Sequence, residues 1–111
     1  MRHILSEAKI SPEALVASNS FHADVVREVA AAVAANEWTV VGMSGNPFVA
    51  KARRYLESKG TSFKYLEYGS YVSGWKPRLA IKLWSGWPTF PQVFHNGVLI
   101  GGFTDLKRYL P

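Results

Sequence analysis

Few residues in this chain could carry covalent or metal chemistry. The 111 residues include no cysteine, so the chain supplies no thiolate nucleophile, disulfide or thiolate metal ligand of its own. Its three histidines, His3, His22 and His95, are far apart in the sequence, and no acidic spacing completes a metal site around any of them. The sequence therefore predicts no metal centre and no cysteine chemistry run by the chain's own residues.

Composition predicts a single soluble domain. Apolar residues make up 48% of the chain and charged residues 19%, which suffices for one core and is ordinary for a folded protein. No apolar run approaches the roughly 18 residues of a membrane span, and the N-terminus does not resemble a signal peptide. Because no cysteine indicates an oxidising compartment either, we expect a cytoplasmic location without membrane association.

The net charge of +5 raises the question of nucleic acid, since lysine and arginine gain affinity by releasing phosphate counterions. Lys51, Arg53 and Arg54 form the one tight basic cluster. They fall on the polar side of a predicted amphipathic helix, where a solvated face is the simpler interpretation. We therefore expect no nucleic-acid partner.

A helix and a buried strand are predicted for the first part of the chain. From Ser20, the expected N-cap, to about residue 36, apolar residues recur every four positions. They are Phe21, Val25, Val29 and Val33. Residues 38–43 are rich in β-formers without polar alternation, which is typical of a buried strand. Residues 1–19 show no sustained period, so we treat them as an N-terminal extension of one domain at 20–111.

A turn then opens a second helix. Asn46 is placed to cap it, and Pro47 occupies the first helical position, where a missing N–H costs nothing. Val49, Ala52 and Leu56 form its inward stripe. Gly60 provides the left-handed stop, and residues 63–68 alternate as a second strand.

The last part of the chain is predicted to form a helix, a hairpin and a final helix. Trp75, Leu79 and Leu83 recur at helical spacing within residues 71–84. Pro77 is tolerated only in about the first turn, which favours a late start of this helix within that range. Asn96-Gly97 between two short apolar runs indicates a type I′ hairpin, and a last helix opens at Phe103 or Thr104. The predicted class is α/β: a three-layer α/β/α domain whose four-stranded mixed sheet combines a parallel βαβ unit with the hairpin.

Several motifs, in order, resemble the glutaredoxin family, nearest its monothiol branch. Arg78-Leu79-Ala80-Ile81-Lys82 resembles its Arg-x-x-Ile-Lys helix, and Trp87-Pro88 followed by Thr89-Phe90-Pro91 resembles its Trp-Pro motif and Thr-x-Pro loop. Gly101-Gly102-Phe103-Thr104-Asp105 resembles its Gly-Gly-x-x-Asp segment. The match runs from about residue 21 to 110. It implies a thioredoxin-like fold with a cis peptide bond before Pro91.

The resemblance also shows what is replaced. The family carries Cys-Pro-Tyr-Cys or Cys-Gly-Phe-Ser before the second helix, and the matching positions here are Asn46, Pro47, Phe48 and Val49. A helix N-terminus stabilises a thiolate there and lowers its pKa. An asparagine can cap the same helix but cannot attack sulfur. Because the family's iron–sulfur cluster needs a cysteine from the protein, we expect no cluster.

The family's glutathione cleft depends mostly on backbone and charge, and it could survive this loss. The resemblance implies that Phe90 pairs its backbone with glutathione's cysteinyl part beside cis-Pro91 and Thr89. It implies that Arg78 holds the glycine carboxylate, and that Gly101, Gly102, Thr104 and Asp105 surround the γ-glutamyl end. The alternative is structural: Thr104 and Asp105 cap the last helix, Arg78 is solvated, and the glycines serve a turn.

Two further features stay open in the sequence. Ser44, beside the replaced motif, could in principle activate a bound thiol, although no base is evident near it. Trp75, Trp84 and Trp87 could stack on a ligand, or could simply line the core and the cleft.

Three classes of function follow. The first is a glutaredoxin-like module without redox cysteines that binds glutathione, a protein partner or both, without redox turnover. The second is a glutathione-dependent disulfide oxidoreductase or transferase that uses a thiol supplied by its ligand or partner. The third is a structural or nucleic-acid-binding protein resting on the basic charge. We expect the first.

Overall fold

The computed structural model describes residues 22–111, which form eight elements in the predicted order. The helices are α1 (Ala23–Ala35), α2 (Pro47–Ser58), α3 (Trp75–Ser85) and α4 (Phe103–Tyr109). The strands are β1 (Trp38–Gly42), β2 (Lys64–Glu67), β3 (Gln92–His95) and β4 (Val98–Gly101). The predicted extension at 1–19 and the predicted cap at Ser20 lie outside the described residues.

The four strands form one mixed sheet in the order β2-β1-β3-β4. β1 and β2 are parallel, with Val40 opposite Tyr65, whereas β1 pairs antiparallel with β3 and β3 antiparallel with β4. The hairpin is the predicted one, because Asn96 and Gly97 both have positive φ, at 50° and 82°, as a type I′ turn requires. The βαβ unit and the hairpin are both confirmed.

Helices cover both faces of the sheet, because β1 is buried along its whole length and alternate residues face opposite layers. Val41 packs with Val29 of α1 and Ile81 of α3 in one cluster. Val40 packs with Leu56 of α2 and Leu106 of α4 in the other. The three-layer α/β/α arrangement is therefore as predicted, and it brings the β1–α2 turn, the β3 entry and the start of α4 to the same end of the sheet.

The structure defines where two of the helices begin. α1 begins at Ala23 with His22 as its N-cap residue. α3 begins at Trp75, which puts Pro77 in its first turn as predicted, because Gly74 takes a left-handed φ of 77° immediately before it, a conformation that ends regular helix. No helix among residues 22–111 is long and apolar enough to span a membrane.

The apolar spacing that indicated α3 does not mark its buried face. Trp75 and Leu79 are exposed, whereas Ala80 and Ile81 are buried. Arg78 is buried as well, and its role is described below. The helix was therefore predicted correctly from a stripe that faces largely outward.

Candidate functional site

Asn46 caps α2 with its side chain. Its Oδ1 accepts hydrogen bonds from the backbone N–H groups of Phe48 at 2.9 Å and Val49 at 3.2 Å, and Pro47 stands at the first helical position. The predicted cap is confirmed. An amide oxygen thus fills the place where a thiolate would receive the same N–H groups, so the helix end is satisfied without sulfur.

The other replaced thiol position has become part of the core. Val49 is 2% exposed and packs in the cluster between the sheet and α1 and α3. Gly42 approaches it so closely that a Cβ at Gly42 would lie 2.6 Å from a Val49 methyl carbon. Val49 therefore supplies packing and presents no group to solvent.

A cleft of about 610 Å³ opens beside the Asn46 cap. The peptide bond between Phe90 and Pro91 is cis, as the resemblance implied, and both residues are buried along the cleft wall. Predicted site residues that line the cleft are Asn46, Phe48, Arg78, Thr89, Phe90, Pro91, Gly102, Thr104 and Asp105. Pro47, Val49 and Gly101 do not line it. The structure therefore brings most of the predicted set together.

Arg78 is neither solvated nor a free cation. The residue is 8% exposed, and its Nη1 donates to the backbone oxygen of Tyr68 at 3.0 Å and that of Ser73 at 2.9 Å. These bonds hold the two ends of the loop between β2 and α3. Of the alternatives drawn from the sequence, the solvated one is wrong, and the residue also reaches the cleft wall.

The start of α4 shows which residue caps it. Gly102 is the N-cap residue, and its N–H donates to Oδ2 of Asp105 at 3.0 Å. The other oxygen, Oδ1, accepts from Arg108 at 3.3 Å. Gly102 thus occupies the N-cap position, and the side chain of Asp105 in the first turn reaches back to bond its N–H. Thr104 is an exposed residue of the same turn. A Cβ at Gly101, whose φ is 126°, would lie 2.6 Å from Oδ2 of Asp105. This close approach and the positive φ both favour glycine at position 101.

Sequence reasoning missed several cleft residues, of which Lys82 is the most consequential. Lys82 was noted only as part of a helix motif, yet it lines the cleft with its Nζ 5.7 Å from the centre of the Phe90 ring. Its position four residues after Arg78 was the available signal, since that spacing places both side chains on one side of α3. Other residues missed as cleft lining are Met43, Tyr71, Pro88 and Phe103.

The tryptophans separate into different environments. Trp87 lines the cleft, and its indole Nε1 is buried without an acceptor among residues 22–111. Trp84 instead packs against Phe94, with ring centres 5.8 Å apart. Trp75 is exposed at the start of α3. The three do not form one stacking surface.

Two other sequence candidates resolve differently. Ser44 does not line the cleft; its backbone N–H donates to the oxygen of Gly69 at 2.8 Å. In the basic cluster, Arg53 lies over the Tyr65 ring, with Cζ 3.8 Å from its centre, so the cluster is not a uniformly solvated face. No group of three or more metal-binding side chains occurs within residues 22–111.

Comparison with known proteins agrees with this geometry. The family model for glutaredoxin matches residues 39–100. A glutaredoxin-like protein from Dictyostelium discoideum is 52% identical over 92 residues, which covers 83% of this chain and 75% of that protein. The crystal structure of a wheat glutaredoxin is 29% identical, with a TM-score of 0.65 over 76% of this chain and 79% of that one.

A third comparison concerns the fold alone. The buckwheat glutaredoxin–glutathione complex superposes with a TM-score of 0.68 at 20% identity, covering 78% of each chain. Together, the fold and the cis-proline cleft define a thioredoxin-like domain. The chain belongs to the glutaredoxin family, and it carries no cysteine.

Proposed function

We propose that this protein binds glutathione in the cleft beside Asn46 and does not run thiol–disulfide exchange with residues of its own. The observation that carries the proposal is the pairing of a closed helix cap with a retained cleft. Asn46 satisfies the N–H groups that a thiolate would use, while Phe90, cis-Pro91, Arg78 and the start of α4 still line about 610 Å³.

The charges of the cleft suit a small peptide with carboxylates. Arg78 and Lys82 bring positive charge to one wall. Asp105 is the acidic residue of the lining, and both its oxygens accept hydrogen bonds from the protein. Glutathione carries a carboxylate at each end and a net negative charge, so a cleft with this balance favours it.

Lys82 is the residue we expect to recognise a carboxylate most directly. Arg78 already donates to two backbone oxygens, whereas no carboxylate of residues 22–111 lies within ion-pair distance of Lys82. By the resemblance, Gly45 stands near where the family usually carries a lysine beside the thiol. Lys82 is then the lysine that remains in the cleft lining to meet a carboxylate.

The alternative is a transferase or oxidoreductase that borrows a thiol, which needs a base or a hydroxyl beside the bound sulfur. Neither Ser44 nor, among residues 22–111, a histidine lines the cleft, whose hydroxyls are those of Tyr71, Thr89 and Thr104. A rate above background would favour this alternative, whereas the proposal predicts binding without turnover.

The test is a coupled disulfide-reduction assay on the full chain with glutathione and glutathione reductase, run beside a binding titration. We expect no rate above the uncatalysed reaction, together with saturable binding of glutathione. Lys82→Gln should weaken binding by about fivefold. Lys64→Gln should bind as the unsubstituted protein does, because Lys64 is exposed at the start of β2 and does not line the cleft. Turnover above background would contradict the non-redox proposal.

A further inference from the structure

A clasped loop stands at the mouth of the cleft. Residues 69–74 connect β2 to α3, and their ends are in contact: a Cβ at Gly69 would lie 2.7 Å from Cα of Gly74. Ser44 N–H bonds the oxygen of Gly69 at 2.8 Å, and Arg78 bonds the oxygen of Ser73 at 2.9 Å. The buried arginine and the turn after β1 therefore both bond this loop.

The loop presents apolar side chains to solvent. Val72 at its tip is 94% exposed and Tyr71 is 68% exposed, while Phe48 across the cleft mouth is 53% exposed. Tyr71 and Phe48 line the same cleft. We call these three residues the mouth patch. Exposure of these apolar side chains to water does not stabilise the fold. Exposed apolar patches of this kind mark binding surfaces.

The surroundings of the mouth patch are cationic. No aspartate or glutamate occurs between Glu37 and Glu57 or between Glu67 and Asp105, the two stretches that carry the mouth patch. Asp105 itself lines the cleft, but both its oxygens accept hydrogen bonds from the protein. Lys51 places its Nζ 5.2 Å from the centre of the Phe48 ring, and Lys82 lines the cleft behind. An apolar patch with this rim complements an acidic partner.

We propose that the mouth patch docks an acidic polypeptide segment that carries an apolar side chain. The apolar side chain would pack against Val72 and Tyr71, and its carboxylates would face Lys51 and Lys82. The inference rests on the proposed function, because it names the kind of protein partner that a binding module with this cleft would hold. Its energetic centre is Val72, which does not line the cleft.

The probe is a fluorescein-labelled, thiol-free peptide that alternates glutamate and leucine, measured by fluorescence polarisation with the full chain. Two control peptides replace glutamate with lysine or leucine with serine. We expect both controls to bind at least about fivefold more weakly, and Val72→Ser to weaken the glutamate–leucine peptide by a similar factor. Val98→Ser is the matched control, since Val98 is 62% exposed on β4 at the opposite edge of the sheet.

Equal binding by Val72→Ser and the unsubstituted protein, or binding of the lysine peptide as tight as that of the glutamate peptide, would overturn the inference. So would a dimer that Val72→Ser converts to monomer, which would make the patch an interface between copies. Nuclear Overhauser contacts from the Val72 methyls to residues 1–21 would overturn it as well, in favour of the chain's own segment.

The same samples separate this inference from the glutathione proposal. Val72→Ser should retain the glutathione-induced shifts of the Lys82 and Phe90 amides while losing the peptide. Peptide binding that persists when glutathione causes no shifts would refute the glutathione proposal alone. Glutathione shifts without any peptide binding would refute the docking inference alone.

Discussion

The side-chain oxygen of Asn46 lies 2.9 Å from the backbone nitrogen of Phe48. This bond, with its longer companion to Val49, closes the N-terminus of α2. In a glutaredoxin with a thiolate at this position, the same N–H groups would stabilise negative charge on sulfur. The replacement thus keeps the local fold and removes the reactive group, which makes the cap and the chemistry separable by mutation.

Removing the cap should cost stability. In Asn46→Ala, the N–H groups of Phe48 and Val49 lose their acceptor, and we expect the free energy of unfolding to fall by about 1 kcal/mol. Asn46→Asp retains an acceptor and adds a favourable charge at the helix N-terminus, so it should be at least as stable as the unsubstituted protein. Urea unfolding measures both. An unchanged midpoint for Asn46→Ala would show that the bonds contribute nothing.

A cysteine placed at position 46 should have a lowered thiol pKa and therefore be reactive. In Asn46→Cys, the helix N–H groups should lower the pKa of the thiol below the ordinary value of about 8.5 and give measurable disulfide reduction. Ser58→Cys is the matched control, because Ser58 is exposed at the last position of the same helix. The absorbance of the thiolate measures each pKa. Equal pKa values in the two variants would show that the turn no longer activates sulfur.

Arg78 should matter for the loop as well as for the cleft. Arg78→Lys removes the two bonds that Nη1 makes to Tyr68 and Ser73. The Ser73 oxygen keeps the Ser70 N–H, but the Tyr68 oxygen loses this donor, which should cost about 1–3 kcal/mol. Exchange of the Ser70 amide, which donates to the Ser73 oxygen at 2.9 Å, should accelerate. Arg54→Lys, on the exposed side of α2, is the control. Unchanged exchange at Ser70 would contradict the role of Arg78 in holding the loop between β2 and α3.

We expect the protein to lose stability in strong alkali because of Tyr65, which lies on the edge strand β2. Burial first, and then the hydrogen bond to Glu67 at 2.9 Å, raises the pKa of Tyr65 to about 12. Since the unfolded chain titrates near 10, the folded state holds this proton more tightly. Its contribution is complete below pH of about 10 and is lost as the pH rises towards about 12.

The pH dependence can be assigned by substitution. The pKa of Tyr68 is also raised, by burial and by its hydrogen bond to Glu28, so both tyrosines should contribute to the alkaline loss. Tyr65→Phe should therefore show a shallower decline in unfolding free energy over that range than the unsubstituted protein. Identical slopes for the two proteins would contradict the assignment to Tyr65.

Local chemistry made most of the fold predictable. The cap at Asn46, Pro47 after it and the positive φ at Asn96-Gly97 are set by short-range sterics and hydrogen bonds, and each was read from adjacent residues. The core stripe of α2 followed from its period. Pro77 indicated the late start of α3, but its first residue is set by Gly74, whose left-handed φ the apolar spacing does not encode.

The site was less predictable because its key contacts are tertiary. Whether Arg78 faces solvent or bonds the ends of a loop depends on how residues 69–74 fold back, which no periodicity encodes. The same approach of two glycines leaves Tyr71 and Val72 exposed at the mouth. Resemblance located the cis-Pro91 loop and Asp105, but only the structure shows that Asp105 already accepts two hydrogen bonds from the protein.

The most direct test of the central claim is an NMR titration of the full chain with S-methylglutathione, which has the charges of glutathione but no free thiol. We predict saturable shifts of the Lys82, Phe90 and Thr104 amides at millimolar ligand, matching those caused by glutathione, because recognition rests on charge and backbone. An absence of shifts with both ligands, or shifts with free-thiol glutathione alone, would contradict the account.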